Sequence, residues 1–340
     1  MRNVLGGLLK RNETYLALFI ILFGAVLTSI NPEFISFRNI ASLLKNSAGT
    51  AILAIGFLLV ILTGNIDVSF PAIAISAQYI SANVLMALDS ESLLLAFAIA
   101  IGIGLFYGAI NAFFVTKFNL PTLIVTLGTS NLFHGFLLEF VGTRSINIGQ
   151  LPQPFKDFGN ADLFTIEMAS GNPVGLSVFV GMLALALLVT WVILRFTLLG
   201  RGIYAIGGDI EAARRAGFNI GRVQYFIYMY VGLLAGVMGI MHISLINYGN
   251  PNYIVDTELL RVIAAVVLGG ALITGGKGTL TGTMLGVLLI VTLQKNLVLI
   301  GLSSYWQQFF VGLIIVIGVT VTHVQEKIRT REKVVIVRSH

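Results

Sequence analysis

Long apolar runs separated by short polar breaks constrain this chain more than any other feature. They cover 14–30, 47–63, 70–88, 92–115, 121–141, 173–195, 223–247, 259–274, 278–300 and 305–323. A helix needs roughly 20 mostly apolar residues to cross the hydrocarbon of a bilayer. The runs are too long and too evenly apolar for barrel strands, which alternate with a period of two. In lipid every backbone N–H and C=O must be satisfied internally, so helices are the expected form. The expected fold is therefore all-α, a polytopic membrane protein of about 10 transmembrane helices. Composition agrees: 56% of the 340 residues are hydrophobic and 11% charged, against about a quarter charged in soluble domains. Too little polar surface is left to cover a water-soluble particle.

The first run follows Lys10 and Arg11, as a signal peptide's apolar core follows its basic start. It is longer than such a core, and no small-x-small cleavage site precedes Asn31, so it is expected to stay as the first span. The chain has no cysteine, which excludes disulfides, thiolate catalysis and Cys-ligated metals. A net charge of +6 suits nucleic acid in principle, but the basic residues gather at the chain ends and in one central loop. That is how orientation signals are placed in membrane proteins. With the N-terminus inside, fifteen Lys and Arg fall on the inner side and six on the outer. Both termini are thus expected in the cytoplasm, and no nucleic-acid partner is expected.

The runs also group. One span precedes a block of four (47–141), and a sixth precedes a second block of four (223–323), within a single domain 1–340. An odd span between the blocks inverts one relative to the other, the arrangement of transporters whose solute path follows the repeat interface. Each block carries a glycine-broken polar stretch: Thr63-Gly-Asn-Ile-Asp-Val-Ser69 in the first, Gly269-Gly-Ala-Leu-Ile-Thr-Gly-Gly-Lys-Gly278 in the second. These breaks predict interrupted helices.

The central loop, 196–222, holds a short helix signal. Asp209 can cap it, Glu211 sits in its first turn, and Gly217 stands where a left-handed residue ends a helix. A helix of about two turns is marginal alone in water, so it must rest on something. One possibility is the lipid headgroup layer. The acidic start and the small Ala212, Ala213 and Ala216 better suit insertion into a cleft on another protein.

Other motifs are more ambiguous. Gly275-Gly-Lys-Gly-Thr279 fails as a phosphate loop, because Ala271 stands at the first glycine position and Gly278 at the Ser/Thr position. The pairs Gly104/Gly108 and Gly232/Gly236 and the triplet Gly278/Gly282/Gly286 mark close helix packing. Asp67 is an acid within the apolar region, where charge faces water, a partner or a path; a helix-capping or hinge role competes with solute contact. Asn65, Ser69, Phe70, Asn111 and Asn247 are candidate path residues, although amides such as Asn111, Asn131, Asn247 and Gln294 equally tie helices together. His134 and His242 are expected to be hydrogen-bonded packing residues, and no metal or cofactor is expected.

Glu211-Ala-Ala-Arg-Arg-Ala-Gly217 resembles the Glu-Ala-Ala-x-x-x-Gly loop of ATP-binding cassette (ABC) importer permeases. Leu62-Thr-Gly-Asn-Ile-Asp-Val-Ser69, Leu120-Pro-Thr-Leu-Ile-Val-Thr-Leu-Gly-Thr129 and Ala264-Ala-Val-Val-Leu-Gly-Gly270 with Gly275–Gly278 resemble the ribose/arabinose/xylose/autoinducer-2 permeases, which are branched-chain-permease-like. The resemblance runs from about residue 15 to 323. It implies a type II-like importer permease in a bacterial inner membrane that passes a sugar or sugar-like solute into the cytoplasm. It also implies separate ATPase subunits, a second permease copy or paralogue, an extracytoplasmic solute-binding protein and a lipid surround. Asp209, Glu211, Ala212, Ala213, Ala216 and Gly217 would then couple the permease to the ATPase, with no catalytic residue in this chain. The sequence departs from the family form at Asn65, at Phe70-Pro71 and at His134; its Asn-Ile-Asp is nearer the autoinducer-2 branch. Nucleosides and amino acids are alternative solutes, and an ion-coupled transporter using Asp67 is the alternative mechanism.

Overall fold

The computed structural model describes residues 12–167, 173–252 and 255–297, with six further positions between 306 and 320. The helices are α1 (Asn12–Ile30), α2 (Phe37–Leu62), α3 (Phe70–Ala87), α4 (Leu93–Phe118) and α5 (Thr122–Phe136), the last extended by a π turn over Leu137–Val141. After α6 (Gln153–Asn160) come strands β1 (Asp162–Glu167) and β2 (Pro173–Ser177). Then follow α7 (Val178–Phe196), α8 (Leu198–Gly208), α9 (Ile210–Arg215), α10 (Ile220–Ile246), α11 (Val255–Leu268) and α12 (Leu280–Leu297).

Among the described residues, seven helices are long and apolar enough to cross a membrane: α1, α2, α3, α4, α5 with its π turn, α7 and α10. The expected spans at 259–274 and 278–300 correspond to α11, which ends at Leu268 before the glycine-rich turn, and α12. The expected last span, 305–323, lies almost wholly outside the described residues.

Two features correct the sequence reading. The run taken as a span from 173 begins as β2, which pairs antiparallel with β1 before α7 starts at Val178. The fold is thus helical with one small hairpin. The central loop also contains a second helix, α8, ahead of the short one.

The bundle is built around α2. From Ala51 to Leu62 every residue of that helix is buried, and it contacts α7, α10, α11 and α12. By contrast, only 6% of the α1 window is buried within the chain; its apolar side chains face outward, as lipid-facing surface does. Backbones approach most closely where glycines face each other. A Cβ on Gly104 of α4 would overlap the Gly232 carbonyl of α10, and one on Gly286 of α12 the Ala265 carbonyl of α11. The small-residue spacing therefore does the packing work expected of it. The first helix of each block packs on the third of the other, α10 on α4 and α2 on α12.

Candidate functional site

The short helix of the central loop forms as its sequence dictates. The Asp209 carboxylate accepts hydrogen bonds from the amides of Glu211 at 2.8 Å and Ala212 at 3.0 Å. Those two backbone donors hold the Asp209 carboxyl below the usual carboxylate range. At the other end Gly217 takes φ +86, a left-handed value that glycine adopts without strain. Glu211 and Arg214 pair at 2.9 Å on the exposed side, a contact worth little energetically in water. Ala213 is the residue of the six that turns inward and is buried. Ala212, Ala216, Gly217 and the acidic start remain exposed, so the outer face of α9 is small and uncluttered.

What α9 is attached to could not be read from the sequence. It continues directly from α8, and the last turn of α8 meets two other segments main chain to main chain. A Cβ on Gly207 would overlap the Leu62 carbonyl at the end of α2. The same Leu62 carbonyl accepts a hydrogen bond from the Gly276 amide at 2.9 Å. A Cβ on Gly275 would come 2.6 Å from the Gly64 nitrogen, and the Tyr204 hydroxyl of α8 donates to the Gly278 carbonyl at 3.1 Å. The two glycine-broken stretches thus meet each other and the arm that carries α9. Gly64, Gly275, Gly276 and Gly278 all have positive φ, so both turns depend on glycine's conformational freedom.

Beyond Gly64 the chain doubles back along α2. Phe70 packs on Phe57, ring centroids 5.8 Å apart, which places the start of α3 inside the bundle rather than at its edge. Irregular backbone at such depth needs polar partners from the protein itself. They are present. The Asp67 Oδ1 accepts from both the Ser69 amide and the Ser69 hydroxyl at 2.7 Å. Asn111 of α4 donates to the Ser69 hydroxyl at 2.7 Å, and Thr129 of α5 donates to Asn111 at 2.6 Å. The Val68 amide donates to the Thr126 hydroxyl at 3.2 Å. Asn65 accepts from Thr122 at 3.0 Å, and Thr122 shares a second bond with Tyr228 of α10 at 2.8 Å.

Five of the six path candidates therefore converge. Buried Asp67, Ser69, Phe70 and Asn111, with half-buried Asn65 beside them, anchor the break between α2 and α3 to α4, α5 and α10. Asp67 is engaged as a local cap, and its Oδ2 is buried without a hydrogen-bond partner. Asn247 stands apart, ending α10 in a left-handed conformation at φ 52. The histidines are hydrogen-bonded as expected: His134 contacts the Pro251 carbonyl at 3.0 Å and His242 the Gln78 side chain at 3.1 Å. Among the described residues no three His, Asp or Glu gather into a possible metal site.

Comparison with known proteins gives this geometry a context. The chain is 32% identical over 313 residues to the ribose import permease protein RbsC of Escherichia coli strain K12, covering 92% of this chain and 94% of that protein. It is 34% identical over 314 residues to RbsC of Bacillus subtilis strain 168, with 92% of each chain covered. It is 33% identical over 314 residues to the autoinducer 2 import system permease protein LsrC of Enterobacter sp. strain 638, covering 92% and 87%. No solved structure matches. Residues 39–319 match the family described as branched-chain amino acid transport system / permease component, and the chain belongs to that family of multi-pass membrane transport subunits, which are not enzymes.

Proposed function

We propose that this chain is the membrane-spanning permease of an ABC importer that carries a sugar or sugar-like solute into the cytoplasm. Its relatives act on ribose or autoinducer 2, and the similarity spans nearly the whole chain. In this reading it pairs with a second copy or a paralogue and works with ATPase subunits and an extracytoplasmic solute-binding protein. It lies in the inner membrane with both termini inside. Lys117, Arg195, Arg201, Arg214, Arg215 and Arg222 flank the α9 end of the bundle, which supports placing that end in the cytoplasm.

The observation that carries the mechanism is the junction of Gly207, Leu62 and Gly276. A push on α9 from a closing ATPase reaches α8 through Asp209, and α8 abuts a loop from each helical block. Moving that arm shifts both blocks, which is what alternating access of an inverted repeat requires. The cross-packing of α2 on α12 and α10 on α4 supports treating 47–141 and 223–323 as paired repeats. Asp209, Glu211, Ala212, Ala216 and Gly217 form the contact to the ATPase, and the inward-facing Ala213 seats the helix on its own chain.

The test is reconstitution with the ATPase. Ala216→Arg and Gly217→Arg each place a bulky cation on the small face of α9 and are expected to release the ATPase or uncouple hydrolysis from uptake. Fully coupled transport in both variants overturns the assignment.

A further inference from the structure

A cavity of 420 Å³ opens between α2, α7, α10, α11 and α12. It lies at the end of the bundle away from α9, since it is lined by the first half of α2 and the last turns of α10. Its volume falls within the roughly 300–1,000 Å³ of small-molecule sites. Thr50, Phe179, His242, Glu258, Arg261 and Gln294 line it. Glu258 is buried and accepts from Arg261 at 2.6 Å and from Thr50 at 3.0 Å.

An ionised pair on a permease's spans is costly away from water and marks a path or a site. Here the pair does not seal itself off from the void; it forms part of its wall. The lining combines an acceptor-only carboxylate, a donor-only guanidinium, an amide and an imidazole that each do both, and one aromatic ring. A sugar hydroxyl both donates and accepts, and the C–H face of a sugar ring packs on an aromatic surface. Glu258 balances Arg261, so the net charge left on the wall is the single positive charge of Lys295, whose ammonium donates to the Ser42 hydroxyl at 2.5 Å. Toward α9 the helix α2 that lines the cavity continues as a buried apolar run, Ala51–Leu62.

We infer that this cavity is the solute site of the permease on the side opposite the ATPase, shaped for a polyhydroxylated solute. Its wall is Thr50, His242, Glu258, Arg261 and Gln294, with Phe179 as the stacking surface. The inference rests on the importer reading above, and it places solute recognition away from the Asp67 cluster.

The absence of cysteine makes the test direct. Gln294→Cys, in the importer reconstituted with its ATPase and binding protein, is exposed to a water-soluble thiol reagent with and without D-ribose, D-xylose, L-arabinose or leucine. Leu94→Cys on the outer surface serves as control. One of the sugars is expected to slow labelling at 294 severalfold and leave 94 unchanged. Glu258→Gln and Thr50→Val are expected to raise the KM for uptake of that sugar about tenfold, about 1.4 kcal/mol of lost binding. Wild-type uptake of a sugar with no protection at 294 and unchanged KM in both variants overturns the cavity alone. Wild-type uptake of leucine and of none of the sugars overturns the importer's solute class as well. Protection by leucine in place of a sugar overturns the polyhydroxyl assignment.

Discussion

Asn111 reaches from α4 to donate a hydrogen bond to the Ser69 hydroxyl at 2.7 Å, joining residues 42 positions apart in the chain. The same amide accepts from Thr129 at 2.6 Å, so one side chain fixes the break between α2 and α3 to two further helices. All three residues are buried.

Asn111→Leu is therefore expected to remove two buried hydrogen bonds, leaving the Ser69 hydroxyl only its bond to Asp67 and Thr129 only its longer contact with the Thr126 carbonyl at 3.4 Å. Each lost bond is worth about 0.5–1.5 kcal/mol, so the melting temperature should fall measurably in a thermal-shift assay. Asp67→Asn keeps an oxygen to accept from Ser69 and should melt near the wild type. It should also sustain ATP-driven uptake that an ionophore does not abolish. Loss of uptake in Asp67→Asn with intact folding would instead support an ion-coupled mechanism.

Gly207 and Gly208 offer a matched pair. A Cβ on Gly207 would collide with the Leu62 carbonyl, whereas one on Gly208 meets nothing within 4 Å. Overpacking costs about 1–3 kcal/mol. Gly207→Ala is expected to lower the melting temperature and to reduce uptake per ATP hydrolysed. Gly208→Ala should do neither, and equal behaviour of the two would show that the junction does not transmit motion.

The cap of α9 has a defined pH response. Backbone donors hold the Asp209 carboxyl below its ordinary value, which is about 3.9. A depressed acid stabilises the folded form fully above that ordinary value and loses its effect as pH falls through the lowered one. Amide exchange at Glu211 and Ala212 should thus show no cap-related change across neutral and mildly acidic pH. Asp209→Ala should speed exchange at those two amides and leave the middle of α10 unaffected.

Local chemistry was legible in the sequence and tertiary contact was not. Asp209 and Gly217 bracket α9 because capping needs only neighbours in the chain. Gly104, Gly232 and Gly286 declare close packing through their spacing. Helix α8 was hidden, since Gly200, Gly202, Gly207 and Gly208 lower helix propensity by about 1 kcal/mol each and read as loop. Gly200 and Gly207 are tolerated because they let other main chain approach. The β1–β2 hairpin was missed because Val174 and Leu176 continue into the apolar run of α7, with Ser177 as the single polar residue between them. Glu258 and Thr50 are 208 residues apart, and no periodicity announces their meeting.

The junction of Gly207, Leu62 and Gly276 has one more consequence. Contacts between side chains can absorb a displacement by hopping between rotamers, as a loose gear takes up play before it turns. Glycine has no rotamers, and a peptide carbonyl cannot turn without carrying the chain with it. A joint made of main chain alone therefore has almost no backlash. Small strokes of the arm should arrive at both loops undiminished, and even a single methyl group there should register in the stroke.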